Sequence, residues 1–476
     1  MVRETEILLV PQHHDVMYED TIAAIATPPG EGALGIVRLS GPDAKTIAQQ
    51  LFSKQLRDHR AVLGRVVDHV LGEAVDEAMA LYFAAPRSYT TEDMVEFTCH
   101  GGPVPLQKTL EVILRSGARS ASPGEFTMRA FLNGRIDLAQ AESVLDIIQA
   151  KTSAGLRVAL QGLEGAFSQR IKALRSELIE PLAYLTALVD FPEDEVGQQD
   201  ITGQLRRARE ELEILARNAE MGMVYRHGVK VAIVGRPNAG KSSLLNRLLG
   251  HERAIVTPVA GTTRDTLEET ANIAGIPFVL TDTAGISETG NLIEQLGVGR
   301  SRQAIQFADL ALFVLDMNQP LNQQDFVIAR LLVETPTIVV ANKQDLPPLL
   351  TGEELANTLL REIRSQESLV QWTWVKTSAL TEDGLDELRE TMVKRVLKGQ
   401  VTADETPLSG NPRHIAALEQ AKNHVVAALE SYRSGLQADF IAIDLTAAVN
   451  ALGQITGETV DEELLDRVFS RFCIGK

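Results

Sequence analysis

Hydrophobic and polar positions change rhythm three times along the chain. Residues 20–120 alternate short β-like runs with Gly/Pro turns. Gly35-Ile36-Val37-Arg38-Leu39 and Met94-Val95-Glu96-Phe97 are such runs, and Thr27-Pro28-Pro29-Gly30-Glu31-Gly32 is a turn cluster. This zone predicts a mixed α+β domain. Residues 138–150, 156–180 and 205–219 are rich in Ala, Leu, Glu, Gln and Arg at helical spacing. Phe191-Pro192-Glu193-Asp194 interrupts them. Residues 229–400 then alternate apolar strand runs (229–234, 278–281, 310–315, 337–341 and 372–376) with helical segments, the mark of a parallel sheet with crossover helices. Beyond Val401, Ile415, Leu418, Val425, Leu429 and Tyr432 share one helical face, and 458–472 reads as a further helix.

Helices thus flank the α/β segment on both sides, which predicts one helical domain interrupted by an inserted α/β domain. The expected divisions are 1–137, 138–225, 226–401 and 402–476. The chain has 476 residues, room for about three domains.

Composition narrows the class. Hydrophobic residues are 44% and charged residues 23%, a globular balance that excludes bulk disorder. The formal net charge of -18 opposes phosphate backbones, so strong sequence-independent nucleic-acid binding by the whole chain is not expected. The two cysteines, Cys99 and Cys473, form neither a metal-ligand pair nor a disulfide scaffold, which favours a reducing compartment. The run Ile7–Val10 is too short for a signal-peptide core, and no apolar stretch approaches the roughly 18 residues of a bilayer span. A soluble cytoplasmic protein is expected, with no membrane partner.

The strongest chemical signal is Gly235-Arg236-Pro237-Asn238-Ala239-Gly240-Lys241-Ser242, which follows a strand and opens a helix through Ser243. It fits the phosphate loop G-x-x-x-x-G-K-[ST]. Its glycines let amides wrap phosphate oxygens at the positive end of a helix. Lys241 reaches the β and γ oxygens, and Ser242 is placed to ligate Mg²⁺.

Further motifs select guanine. In Asn342-Lys343-Gln344-Asp345, the Asp345 carboxylate can accept from both N1–H and N2–H₂ of guanine, a donor pair adenine lacks. Ser378-Ala379 can offer an amide to O6. Asp282-Thr283-Ala284-Gly285 places Asp282 toward the Mg²⁺ shell and the Gly285 amide toward a γ-phosphate. Gly261-Thr262-Thr263-Arg264-Asp265 supplies a threonine to close on Mg²⁺, with Thr263 preferred. In correct order, these elements predict a GTP-binding domain. The position after Asp-x-x-Gly, where many GTPases carry a water-orienting Gln, is Ile286. On the residues alone, Glu288 and Glu294 both remain candidates for orienting water.

The chain resembles the MnmE (TrmE) family, tRNA-modification GTPases acting on the wobble uridine. The resemblance is carried by Gly235 to Asn246, Gly261-Thr262-Thr263-Arg264-Asp265, Asp282-Thr283-Ala284-Gly285 and the terminal Cys473-Ile474-Gly475-Lys476. In the N-terminal zone it is carried by Ala26-Thr27-Pro28-Pro29-Gly30, His100-Gly101-Gly102-Pro103, Pro123-Gly124-Glu125-Phe126 and Phe131 through Leu138. It extends from about Asp20 onward, and residues 1–19 receive no role.

The resemblance implies a multidomain α/β and α+β protein. Residues 1–137 would form a tetrahydrofolate-binding and dimerisation domain, 138–225 and 402–476 a helical domain, and 226–401 an inserted Ras-like P-loop GTPase domain. It implies folate contacts from Arg38, Glu96, Arg135 and Lys476, and makes Cys473 a candidate modification cysteine. It implies K⁺ held by Asn238, Thr257, Val259 and Thr262 in place of an arginine finger, and it selects Glu294 over Glu288. It further implies a homodimer working with an FAD-dependent MnmG-type partner, in a heterotetramer or larger. The one-carbon donor would be a 5-formyl or methylene tetrahydrofolate, and tRNA would be held mainly by the partner. A ribosome-assembly or regulatory GTPase switch would explain the nucleotide motifs equally well, but not Pro123–Phe126 or the Cys473/Lys476 tail. A folate enzyme with a vestigial nucleotide domain conflicts with intact Lys241, Ser242, Asp282 and Asp345.

Overall fold

The computed structural model describes residues 20–191, 197, 199–250, 268–282, 302, 304–349, 354, 355, 358, 359, 361, 372–397 and 410–476. The chain divides into two compact units, one of Met1–Leu145, Gly162–Leu212 and Ala417–Lys476, the other of Asp146–Gln161 and Glu213–Ala416.

The first unit contains a six-stranded sheet ordered β3-β4-β5-β2-β1-β6. Its strands are β1 (Ile22–Ile25), β2 (Leu34–Ser40), β3 (Ala61–Asp68), β4 (Glu73–Phe83), β5 (Met94–His100) and β6 (Arg119–Ser120). All pairings are antiparallel except β1 with β6. Alternation along the strands sorts the two faces. Val37, Leu39, Val95, Phe97 and Cys99 point into a core with helices α1 (Ala44–Leu51) and α2 (Pro103–Arg115). Arg38 and Glu96, on the intervening positions, are directly opposite each other in the β2–β5 register.

Helices α3 (Glu125–Leu132) and α4 (Leu138–Gln149) follow. Phe131, Leu138, Ala141 and Leu145 form a core with Val468, Phe469 and Phe472, so the helix Glu462–Phe469 packs against them. The helical run expected over 156–180 is two helices, α5 (Ser153–Leu163) and α6 (Ala166–Asp190). They divide at Gly165, whose φ of 86° is left-handed, a conformation glycine reaches without a Cβ penalty. Helix α7 (Thr202–His227) completes this zone. The helix Ala438–Thr456 packs along α6, burying Ile441, Leu445, Leu452 and Ile455. By length and composition alone it could cross a bilayer, a test that the core helix of a folded domain also passes.

The second unit carries a sheet ordered β12-β11-β10-β7-β9-β8. Its strands are β7 (Val229–Val234), β8 (Glu268–Ile273), β9 (Ile276–Asp282), β10 (Leu310–Asp316), β11 (Thr337–Asn342) and β12 (Thr373–Lys376). All pairs are parallel except β8 with β9. Every residue of β10 and β11 is buried, because helices cover both faces. The helix α8 (Lys241–Leu249) packs on one face. The helix Gln323–Leu331 packs on the other, opened by a capping box between Asn322 and Asp325. The edge strand β8 was not expected from the sequence; its Glu268-Glu269-Thr270-Ala271-Asn272 run is mostly polar.

Candidate functional site

In the second unit the carboxyl ends of β7, β11 and β12 converge, the usual ligand edge of an open parallel sheet. The phosphate loop leaves β7 and enters α8 at Lys241. Asn238 takes a left-handed φ of 62°, and Gly240 a φ of 96°. A Cβ on Gly240 would lie 2.2 Å from the Asn342 amide nitrogen, so no other residue fits there. Lys241 is buried and its ammonium donates to the carbonyls of Gly235 (2.9 Å) and Arg236 (2.7 Å), which fixes its charge at the centre of the loop. Arg236 is tied down from below by the fully buried Asp325, 2.9 Å away. Ala239 is buried, while Asn238, Ser242 and Ser243 lie exposed on the loop and helix start, accessible to a ligand or cation.

Asn342 joins this loop to the base-reading segments. Its side-chain amide donates to the Ala239 carbonyl (2.9 Å). Its oxygen accepts from the Ala379 amide (3.1 Å) and the Thr377 hydroxyl (3.3 Å). Of the two Ser378-Ala379 amides, one of which was expected to reach guanine O6, that of Ala379 bonds Asn342 and that of Ser378 donates to the Asp383 carbonyl (2.9 Å) in this structure. Exposed Asp345 accepts from the Ser378 hydroxyl at 2.5 Å, and Ser378 itself is fully buried. Lys343, at a left-handed φ of 67°, reaches Asp316 at the end of β10 (2.7 Å). Burial acts to raise the Asp316 carboxyl, but the bonds from Lys343 and Asn318 outweigh it and keep it below its ordinary value.

Arg247 of α8 was not singled out from sequence. It donates to the Ala379 carbonyl (3.1 Å) and pairs with Glu382 (2.5 Å), clamping the Ser378-Ala379 loop. Asp282 ends β9 in register with Ile233 of β7. Thr257, Val259, Thr262, Thr263, Thr283, Ala284, Gly285, Ile286, Glu288 and Glu294 lie outside the described residues.

The first unit assembles a second site. Arg38, Glu96, Arg135 and Lys476 line one cavity of about 730 Å³, within the range of small-molecule pockets. Arg38 bonds one Glu96 oxygen through Nε (2.8 Å) and Nη2 (2.7 Å), and donates to the Gly475 carbonyl (3.1 Å). Its guanidinium lies 5.6 Å from the Phe126 ring centre and 5.8 Å from that of Tyr89. Arg135 stacks 4.9 Å from the same Tyr89 ring and bonds the Tyr89 carbonyl (2.7 Å). Burial, then the nearby Arg38 charge, pushes the Lys476 ammonium below the ordinary lysine value.

The tail is fastened at the start of α3. The Phe126 amide donates to the Lys476 carbonyl (3.2 Å), and the Gly124 amide to that of Cys473 (3.4 Å). Cys473 is exposed, whereas Cys99 is buried in the sheet core with its thiol pushed up to about 11 by desolvation.

Tyr89, Asn133, His59 and Arg87 also line the cavity and were missed from sequence. The loop that carries Arg87 and Tyr89 is held from beneath. Asn133 bonds the Thr90 carbonyl (2.7 Å), Ser40 bonds Glu92 (2.7 Å), and Arg129, fully buried, reaches Glu92 (3.2 Å), Asp20 (2.8 Å) and Glu125 (3.0 Å). No local spacing announces such a loop, since its partners come from β2 and from α3 with its C-cap.

The sheet order and phosphate loop of the second unit, with the loops gathered by Asn342, define a domain of the P-loop GTPase class. The family model described as the MnmE helical domain matches residues 138–473, and that described as GTP-binding protein TrmE N-terminus matches 21–135. The tRNA modification GTPase MnmE of Roseiflexus sp. (strain RS-1) is 50% identical over 465 residues, 97% of this chain and 100% of that protein. The protein of that name from Chloroflexus aurantiacus is 50% identical over 462 residues, covering 96% of this chain and 100% of its own length. That from Desulforamulus reducens is 42% identical over 470 residues, covering 97% and 100%. The chain belongs to the MnmE family.

Proposed function

We propose that this protein is a GTP hydrolase coupled to tRNA modification. In this reading a K⁺-dependent GTPase and an FAD-dependent MnmG-type partner modify C5 of the wobble uridine, with a one-carbon unit from a 5-formyl or methylene tetrahydrofolate. The observation that carries the nucleotide part is the joining of Lys241, Asp345 and Ser378-Ala379 into one site through Asn342. The half-buried Arg38–Glu96 pair with Arg135 and Lys476 around one cavity supports the folate part.

The chemistry follows from the residues. Lys241 holds the β and γ oxygens, Asp345 reads the guanine N1–H and N2–H₂, and the Gly285 amide meets the γ-phosphate. Ser242 and Thr263 are the proposed Mg²⁺ ligands, and Asn238, Thr257, Val259 and Thr262 those for K⁺; bound there, the cations supply positive charge to the phosphoryl oxygens. Glu294 orients the attacking water, a task that apolar Ile286 cannot perform. On the folate, Glu96 accepts from the pterin donor edge while Arg135 and Lys476 meet the glutamate carboxylates. Cys473, exposed beside the Lys476 tail, is the candidate modification cysteine.

The working unit is a homodimer within a heterotetramer or larger. The net charge of -18 supports a division in which the partner makes most of the tRNA contact in the cytoplasm. The test compares GTP hydrolysis by wild type and Glu294→Ala in KCl and in NaCl. Hydrolysis in KCl that collapses in the variant is expected. Equal rates in the two salts would remove K⁺ from the reading, and equal rates in the two proteins would remove Glu294.

A further inference from the structure

The cavity of the first unit carries more positive charge than a single folate glutamate can match. Its lining includes the cations Arg38, Arg87, Arg135 and Lys476, against the one side-chain carboxylate of Glu96. Arg38 is committed to Glu96 by two nitrogens. Arg87, Arg135 and Lys476 remain. A folate with one glutamate offers two carboxylates, α and γ. Each further γ-linked glutamate converts one carboxylate to an amide and brings two more, a net gain of one.

Arg87 is the cation without a role in the monoglutamate reading. It stands on the Pro86-Arg87-Ser88 stretch of the lining, with its side chain 69% exposed. The acid facing it is Asp58, 2.6 Å away. The other Asp58 oxygen is taken by the Ala84 amide (2.9 Å) and by His59 (2.6 Å). An ion pair this open to water is weak, and Asp58 keeps two partners if Arg87 leaves. Arg87 can therefore trade Asp58 for an incoming carboxylate at little loss. The five N–H groups of its guanidinium can also serve both at once.

We propose that the cavity takes a folate bearing a chain of γ-linked glutamates, and that Arg87 binds a carboxylate of that extension. The proposal rests on the folate reading of this site. It makes Arg87 a specificity residue that separates oligoglutamyl from monoglutamyl folate, with His59 beside it on the same wall.

Calorimetry on the full chain tests this with two probes, 5-formyltetrahydrofolate carrying one glutamate and the same compound carrying three γ-linked glutamates. Wild type should bind the longer form about 2–5-fold more tightly in low salt, the yield of one exposed charge-assisted contact. That ratio should fall toward 1 in Arg87→Ala, recover in part in Arg87→Lys, and shrink in wild type as KCl is raised. Equal affinities in wild type overturn the proposal. A preference that survives in Arg87→Ala overturns the role of Arg87. Failure of wild type to bind either form is a different result, and removes the folate reading itself.

Discussion

Replacing Asn342 by Ala should separate the phosphate loop from the base-reading loop. Asn342 is 1% exposed and bonds Ala239, Ala379 and Thr377 at 2.9, 3.1 and 3.3 Å. Truncation removes all three bonds and strands the Ala239 carbonyl and the Ala379 amide. A bond of this kind nets about 0.5–1.5 kcal/mol, and a buried group left without a partner costs about 1–3 kcal/mol. Water entering the space beside Gly240 would restore part of this. A loss of about 2–3 kcal/mol remains, and on nucleotide affinity that is roughly a 30–150-fold rise in Kd. Titration with a fluorescent GDP reads the change, with thermal unfolding to verify that the sheet persists. A variant that folds and keeps its GDP affinity within about threefold would refute the view that this side chain organises the site.

Three other outcomes are expected. Asp345→Asn should lower GTP affinity by about 100-fold or more and favour XTP, because xanthine presents an acceptor where guanine presents the N2 amine; nucleotide competition checks this. Tyr89→Ala should weaken 5-formyltetrahydrofolate binding about 5-fold by removing the ring under Arg135, while Tyr89→Phe should stay near wild type; calorimetry distinguishes them. Burial acts to raise the Asp20 and Glu125 carboxyls, yet bonds from Arg119 and Arg129 hold both below their ordinary values of 3.8 and 4.5. Their stabilisation is complete above those values and is lost as pH falls through the lower folded ones, so melting temperature should drop more steeply below about pH 4.5 in wild type than in Glu125→Gln. Glu92, raised by burial, works in the opposite sense, which is why the comparison uses Glu125.

The sequence showed most clearly what short spacing determines. The run from Gly235 to Ser242, the strand 229–234 before it and Asn342-Lys343-Gln344-Asp345 each declare their conformation within a few residues, and the structure places them together. Arg38 and Glu96 were legible only through resemblance; their facing positions depend on a β2–β5 register that no local pattern fixes. Tyr89 and Arg87 left no signal, because their loop is positioned by Arg129, Asn133 and Ser40 from elsewhere in the fold. Helical composition masked the break at Gly165, where one glycine in a long Ala/Leu-rich run looks tolerable until its φ is known. Strand β8 escaped notice because an edge strand paired on one side needs little apolar sequence.

The bond from Arg38 to the Gly475 carbonyl spans 437 positions. During translation the N-terminal sheet therefore emerges long before the segment that closes its cavity, and the nucleotide domain is made in between. At roughly 5–20 residues per second the delay is about 20–90 s. For that interval the nascent sheet carries Arg38 and Glu96 without the Gly475 carbonyl that Arg38 bonds and without the Lys476 side chain that lines their cavity.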